Sequence, residues 1–204
     1  MNIEKYKIYI SERVDQARYQ HSLDVMEAML RASTIYKLDA NQAQLTGLLH
    51  DAEKNSTTTD MLQTIQRYNP MLLKNLPKYC YVPTFLHGRA AACTLLRDLN
   101  INDPQILDAI AKHAGDADLS ELSLLARCIH VADVTAPTNK FKGMKKLSDL
   151  FFSGKLDEAH LLLSHYLLDY CLDLGIPIHP AWKKNKMILM ERVGQVPNNF
   201  FSRD

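Results

Sequence analysis

No stretch of this 204-residue chain approaches the ~18 consecutive apolar residues that a membrane-spanning helix needs. The first residues, MNIEKYKIYISERV, alternate charged with apolar side chains instead of carrying the apolar run of a secretory signal. We therefore expect a cytoplasmic protein with no membrane partner. Net charge is nearly absent as well, since 24 Lys and Arg against 23 Asp and Glu leave +1. Such a chain has no global field to gather nucleic acid or an anionic surface, so any phosphate binding must be local. The aromatic residues, including the single tryptophan Trp182, are not interleaved with basic ones as in proteins that stack single-stranded bases. A nucleic-acid partner is disfavoured on both counts.

The cysteines Cys80, Cys93, Cys128 and Cys171 lie far apart with no C-x-x-C pair, which argues against structural zinc and thiol redox chemistry and predicts buried, reduced thiols. No segment alternates strictly in the manner of a half-buried strand, and there is no repeat, low-complexity tract or linker. What is present is apolar spacing of helical period almost throughout, as in Leu23, Met26 and Leu30 or in Leu161, Leu168 and Leu172. Together with 47% hydrophobic and 23% charged residues, this predicts one all-α domain, a helical bundle.

The local signals place the elements. A first helix is expected over about Ile3 to Val14, and Asp15 reads as the N-cap of a longer one reaching about Lys37, with His21 inside it. Asp39 or Asn41 caps a third helix ending near His50-Asp51. The polar run NSTTTD then precedes a helix from about Thr59 to Tyr68. Pro70, Pro77 and Pro83 punctuate a segment read as one short helix and extended connections, leading to a helix from about Leu86 to Leu99 that His87 opens. Asp103-Pro104 is a strong start signal for a helix ending near Lys112 or His113. Ser120 with Glu121 begins another through Asp133, and glycines separate helices at about Met144–Phe152, Leu156–Leu174 and Pro180–Val193.

The side chains able to do chemistry are His21, the adjacent His50 and Asp51, His87, His113 and Asp133. Singly, a histidine is more readily a core or surface residue than a ligand. As a set on converging helices they gain meaning. Inside a regular helix, neighbours point about 100° apart, but at a helix end His50 and Asp51 can both turn toward one cation. Imidazoles with carboxylates and no nearby thiolate suit iron, manganese or a similar borderline metal. The remaining histidines, His130, His160, His165 and His179, are read as structural, and Met26, Met29, Met187 and Met190 as core filler.

The ordered motifs RYQHSLDV (18–25), GLLHDAEK (47–54), LHG (86–88), AIAKH (109–113), HVAD (130–133) and GIPIHP (175–180) together resemble the HD-domain phosphohydrolases, and more narrowly the YqeK-type symmetrical bis(5'-nucleosyl)-tetraphosphatases. The resemblance covers nearly the whole chain. It implies two divalent metals, iron by preference and manganese or another transition metal otherwise. His21, His50, Asp51 and Asp133 would hold one, and Asp51, His87 and His113 the other, with Asp51 as bridge. It further implies a metal-binding core at about 15–135 with the helices at about 143–193 packed on it, and admits a homodimer. The implied reaction is hydrolysis of diadenosine tetraphosphate to two ADP by a hydroxide shared between the metals. Arg18 and Lys54, which flank ligands, would meet phosphate oxygens, and Gly88 fits a close backbone approach.

The sequence also departs from that pattern. Where the family reads A-D-Y-I-E-P-x-R, this chain has ADVTAPTN, with Ala136 in place of the glutamate and Asn139 in place of the arginine. After His113 the family's T-T-G-R-P is replaced by AGDAD, so Asp116 and Asp118 stand where an arginine is expected. Unless they face away, these acids would repel phosphate; Lys140 and Lys142 could restore positive charge, although a run of lysines on a short polar segment is usually a solvated face. Two other readings stay open: the same metal site acting on another nucleotide or phosphoester, or a silent metal- or nucleotide-binding regulator.

Overall fold

The computed structural model describes residues 2–74, 76–138 and 143–202. Among them are ten α-helices and no strand: α1 (Glu4–Ser11), α2 (Gln16–Tyr36), α3 (Ala40–Leu49), α4 (Thr58–Tyr68), α5 (Pro83–Leu99), α6 (Pro104–Ala111), α7 (Leu124–Thr135), α8 (Met144–Phe152), α9 (Leu156–Leu174) and α10 (Pro180–Val193). The all-α expectation holds. No helix among the described residues is long and apolar enough to cross a membrane.

Carboxylate and hydroxyl caps start four of the five helices that carry the site, α2, α3, α6 and α7. The side chains of Asp15, Asp39 and Asp103 accept from the backbone N–H groups of Arg18, Gln42, and Gln105 with Ile106. Each satisfies donors that a helix start leaves unpaired, worth about 1 kcal/mol apiece. Two starts differ from expectation. Pro83 occupies the first turn of α5, where its missing N–H costs nothing, so His87 lies one turn inside the helix instead of opening it. Leu119–Glu121 is a separate 3-10 turn, and α7 starts only at Leu124, where the Ser123 hydroxyl accepts from the Ala126 N–H. The proline-punctuated segment holds two short 3-10 turns, Pro70–Leu73 and Lys78–Cys80.

At the centre, the second half of α3, residues 45–49, is wholly buried, and the helix packs on α1, α2, α6 and α7. Gly47 permits the close approach to α2, because a Cβ there would come within 2.8 Å of the Met26 Cα. One apolar cluster joins α2 and α7 to α8 and α9 through Met29, Ile129, Phe151 and Leu162. A second joins α1, α3, α5 and α6 through Ile10, Leu48, Leu95 and Ile110. Each such side chain contributes about 1.5–3 kcal/mol when fully buried. Met26 and Met29 lie in these cores, but Met187 and Met190 on α10 are exposed, so they are not core filler. All four cysteines are free and buried.

Candidate metal centre

The facing ends and interiors of α2, α3, α5, α6 and α7 bring His21, His50, Asp51, His87, His113 and Asp133 together. His50 is the C-cap of α3 and Asp51 follows it, so the chain is leaving helical geometry where both side chains turn inward. Both are fully buried. The His21 and His50 rings meet edge-on at 5.5 Å between centroids, His50 and His113 at 5.1 Å, and His87 and His113 at 4.6 Å. His21, His50 and Asp133 form one group whose donor atoms could share an ion, and His50, Asp51 and His113 form another.

The imidazoles are oriented from outside. Nδ1 of His50, His87 and His113 lies 2.8, 2.7 and 2.8 Å from the carbonyl oxygens of Gly47, Pro83 and Ile110. A carbonyl only accepts, so each Nδ1 carries the proton and each Nε2 presents its lone pair inward. The Asp51 carboxylate lies between the imidazoles. Its Oδ2 is 3.5 Å from His50 Nε2 and 3.9 Å from His21 Nε2, and its Oδ1 is 3.0 Å from His87 Nε2 and 3.8 Å from His113 Nε2. Asp133 Oδ1 sits 2.8 Å from His21 Nε2 and 3.6 Å from His50 Nε2. Buried His50 Nε2 and Asp51 Oδ1 make no hydrogen bond among the described residues. A cation would satisfy both.

Charge is arranged to match. Burial works to raise the Asp51 pKa, yet His50, Lys54 and His87 outweigh it and hold the carboxyl well below the usual carboxylate range. Burial opposes ionisation of Asp133 too, and His21 and His50 overcome it. His113 is pushed well down by burial and by His87 and His50, and His87 down by burial and Lys54. Against burial, Asp51 and Asp133 draw the His50 pKa upward. The site thus offers ionised carboxylates beside His87 and His113, both pushed toward the neutral form, the states that bind a metal. Arg18 Nη1 lies 2.7 Å from Asp51 Oδ2, while Lys54 Nζ lies 3.4 Å from Asp51 Oδ1 and 3.2 Å from His87 Nε2.

Gly88 has a packing role, letting α5 lie close against the end of α6. A Cβ there would stand 2.5 Å from the Ile110 oxygen and 2.7 Å from His113 Nδ1. Asp116 does not face a phosphate: it is buried in an ion pair with Arg89, and Asp118 pairs with Lys184. Arg89 and His87 are two residues apart on α5 and so point roughly 200° apart. Ala136 is fully buried at the C-cap of α7. Asn139, Lys140 and Lys142 lie outside the described residues. His130 and His160 stack edge-on in the core, as structural histidines do, and His165 sits beside Lys186 and Phe201. His179 caps α10, its Nδ1 accepting from the Ala181 N–H. The sequence reading missed Thr138, whose Oγ1 lies 2.8 Å from His21 Nδ1.

Inward-facing, buried nitrogen and oxygen donors flanked by the cations Arg18 and Lys54 suit divalent-metal chemistry on phosphate esters and anhydrides. A family model described as the HD domain matches residues 18–138, and the chain belongs to the HD-domain hydrolases. It is similar to the symmetrical bis(5'-nucleosyl)-tetraphosphatase of Staphylococcus aureus, 28% identical over 183 residues that make up 88% of this chain and 90% of the relative. The protein of the same name from Bacillus subtilis is 26% identical over 152 residues, 74% of this chain and 77% of that one. Among solved structures, a predicted HD superfamily hydrolase involved in NAD metabolism from Clostridium acetobutylicum superposes with a TM-score of 0.84 at 25% identity, covering 94% of this chain and 98% of its own.

Proposed function

We propose that this chain hydrolyses dinucleoside tetraphosphates symmetrically, converting diadenosine tetraphosphate and one water to two ADP, with two divalent metals, iron by preference. The observation that carries the reading is the position of Asp51, whose two oxygens face different imidazole pairs. Asp51 would be the ligand shared by the two metals, with His21, His50 and Asp133 holding one and His87 and His113 the other. Bound there, the metals supply Lewis acidity and a nucleophile at neutral pH.

The protein's own contribution is orientation and charge. Main-chain carbonyls fix three of the imidazoles, and burial of Asp51 excludes bulk water. Arg18 and Lys54 now neutralise Asp51. With metals held at that carboxylate, the guanidinium and ammonium groups would be available to the phosphoryl oxygens. Attack at the central anhydride forms one P–O bond to water oxygen and breaks the bridging one. The leaving group is ADP, a stable anion that needs little protonation.

The names of the relatives support this substrate. The same reading assigns the enzyme to the cytoplasm, which suits its four free thiols, treats about 15–135 as the metal-binding core, and admits a homodimer. A second reading keeps the metal site and changes the phosphoester, because Ala136 is buried where the family carries a glutamate. Product analysis separates the two. Anaerobically purified, iron-loaded protein given diadenosine tetraphosphate should yield ADP alone. Formation of ATP with AMP, or no cleavage, contradicts the symmetrical assignment.

A further inference from the structure

Three of the inward-facing imidazoles lean on main-chain carbonyls, which no substitution can remove. His21 does not. It lies well inside α2, and its Nδ1 meets a side chain 117 residues away, the hydroxyl of Thr138 at 2.8 Å. Its Nε2 meanwhile points to Asp133 Oδ1 at 2.8 Å, with Asp51 Oδ2 at 3.9 Å.

We propose that Thr138 is a positioning residue for the metal site, accepting the Nδ1 proton of His21 and so keeping the Nε2 lone pair turned toward the cation. This inference rests on the reading of His21 as a ligand. A neutral imidazole has one N–H; with Nε2 given to a metal, the proton must sit on Nδ1, and it needs an acceptor. The Thr138 oxygen is placed to be that acceptor, and outer partners of this kind set both the tautomer and the basicity of a ligating ring. The segment from Asp133 to Thr138 therefore acts on His21 from both sides, by carboxylate at Nε2 and by hydroxyl at Nδ1.

Thr138 is exposed on its outer side, and valine matches its shape without the hydroxyl. The test uses the full chain, stripped of metal and titrated with cobalt(II), with binding followed by calorimetry and by visible absorption. Thr138→Val should weaken binding at the His21 site about 10- to 100-fold, and Thr138→Ser should restore wild-type affinity. In spectra of protein labelled with nitrogen-15 in its histidines, the His21 ring should lose its single Nδ1–H tautomer in the valine variant alone. His21→Ala serves as the control for the underlying reading. Loss of a cobalt site in His21→Ala together with wild-type affinity in Thr138→Val overturns the role of Thr138 and leaves His21 a ligand. Equal weakening in the serine and valine variants also overturns it, because the hydroxyl would then be irrelevant. Full cobalt binding by His21→Ala removes the ligand reading and the proposal with it.

Discussion

His87 and His113 point their Nε2 atoms at each other across 2.8 Å, while the Nδ1 of each is committed to a main-chain carbonyl. Two lone pairs so opposed repel unless a cation or proton lies between them, and burial pushes both pKa values down. Metal should therefore stabilise the fold markedly. At 100 times Kd, binding to the native state alone adds about 2.7 kcal/mol, which for a chain of this length raises Tm by roughly 5–10 °C. Thermal unfolding with and without a chelator checks this, and His113→Ala should lose most of the metal-dependent increment.

Gly88→Ala should act at the same place. The added Cβ would stand 2.5 Å from the Ile110 oxygen and 2.7 Å from His113 Nδ1, so α5 and α6 must part. We expect a loss of about 1–3 kcal/mol in denaturant unfolding and weaker metal binding on the His87–His113 side, while His165→Ala leaves metal content unchanged.

Asp116 is predicted to be structural. Its carboxylate is buried against the Arg89 guanidinium, itself nearly buried, so Asp116→Ala leaves a buried cation unpaired and should cost about 3–5 kcal/mol. Its metal content, measured at a temperature where the variant is folded, should match the wild type. Faster turnover in this variant would instead mean that Asp116 repels the substrate.

The pH dependence of stability has a readable sign at His130. Burial lowers its pKa to about 4 against the opposing pull of Asp133 and Asp116, whereas an exposed imidazole titrates near ~6.5. Between those values the unfolded chain binds more protons, so this contribution is intact above about pH 6.5 and is lost as pH falls toward 4. The loss attributable to His130 reaches about 3 kcal/mol. Histidine resonances followed by NMR should show His130 neutral at pH 5. A midpoint near 6.5 would contradict its burial.

Much of this molecule could be read from local signals, because a capping carboxylate acts on its own helix. Asp15, Asp39 and Asp103 start their helices as expected, and His50-Asp51 falls at the end of α3 because the helical pattern stops there. Pro83 looks like punctuation in its local context, yet it is the first residue of α5, a position the proline ring tolerates as well as it breaks a helix. Relationships across long separations left no local trace. Arg89 and Asp116 are 27 residues apart and His21 and Thr138 are 117 apart, and neither partner looks unusual in its own segment. Exposure of Met187 and Met190 was likewise invisible, since methionine suits a helix whether or not its face is covered.

The most direct test is metal counting in Asp51→Ala, paired with product analysis. If the Asp51 carboxylate is shared, as its contacts to His21 and His50 on one oxygen and His87 and His113 on the other suggest, the loaded wild type should carry two metals per chain and the variant none. Conversion of diadenosine tetraphosphate to ADP should fall with them, by about a thousandfold or more. Two metals retained at full occupancy by Asp51→Ala would contradict the bridge and the mechanism built on it.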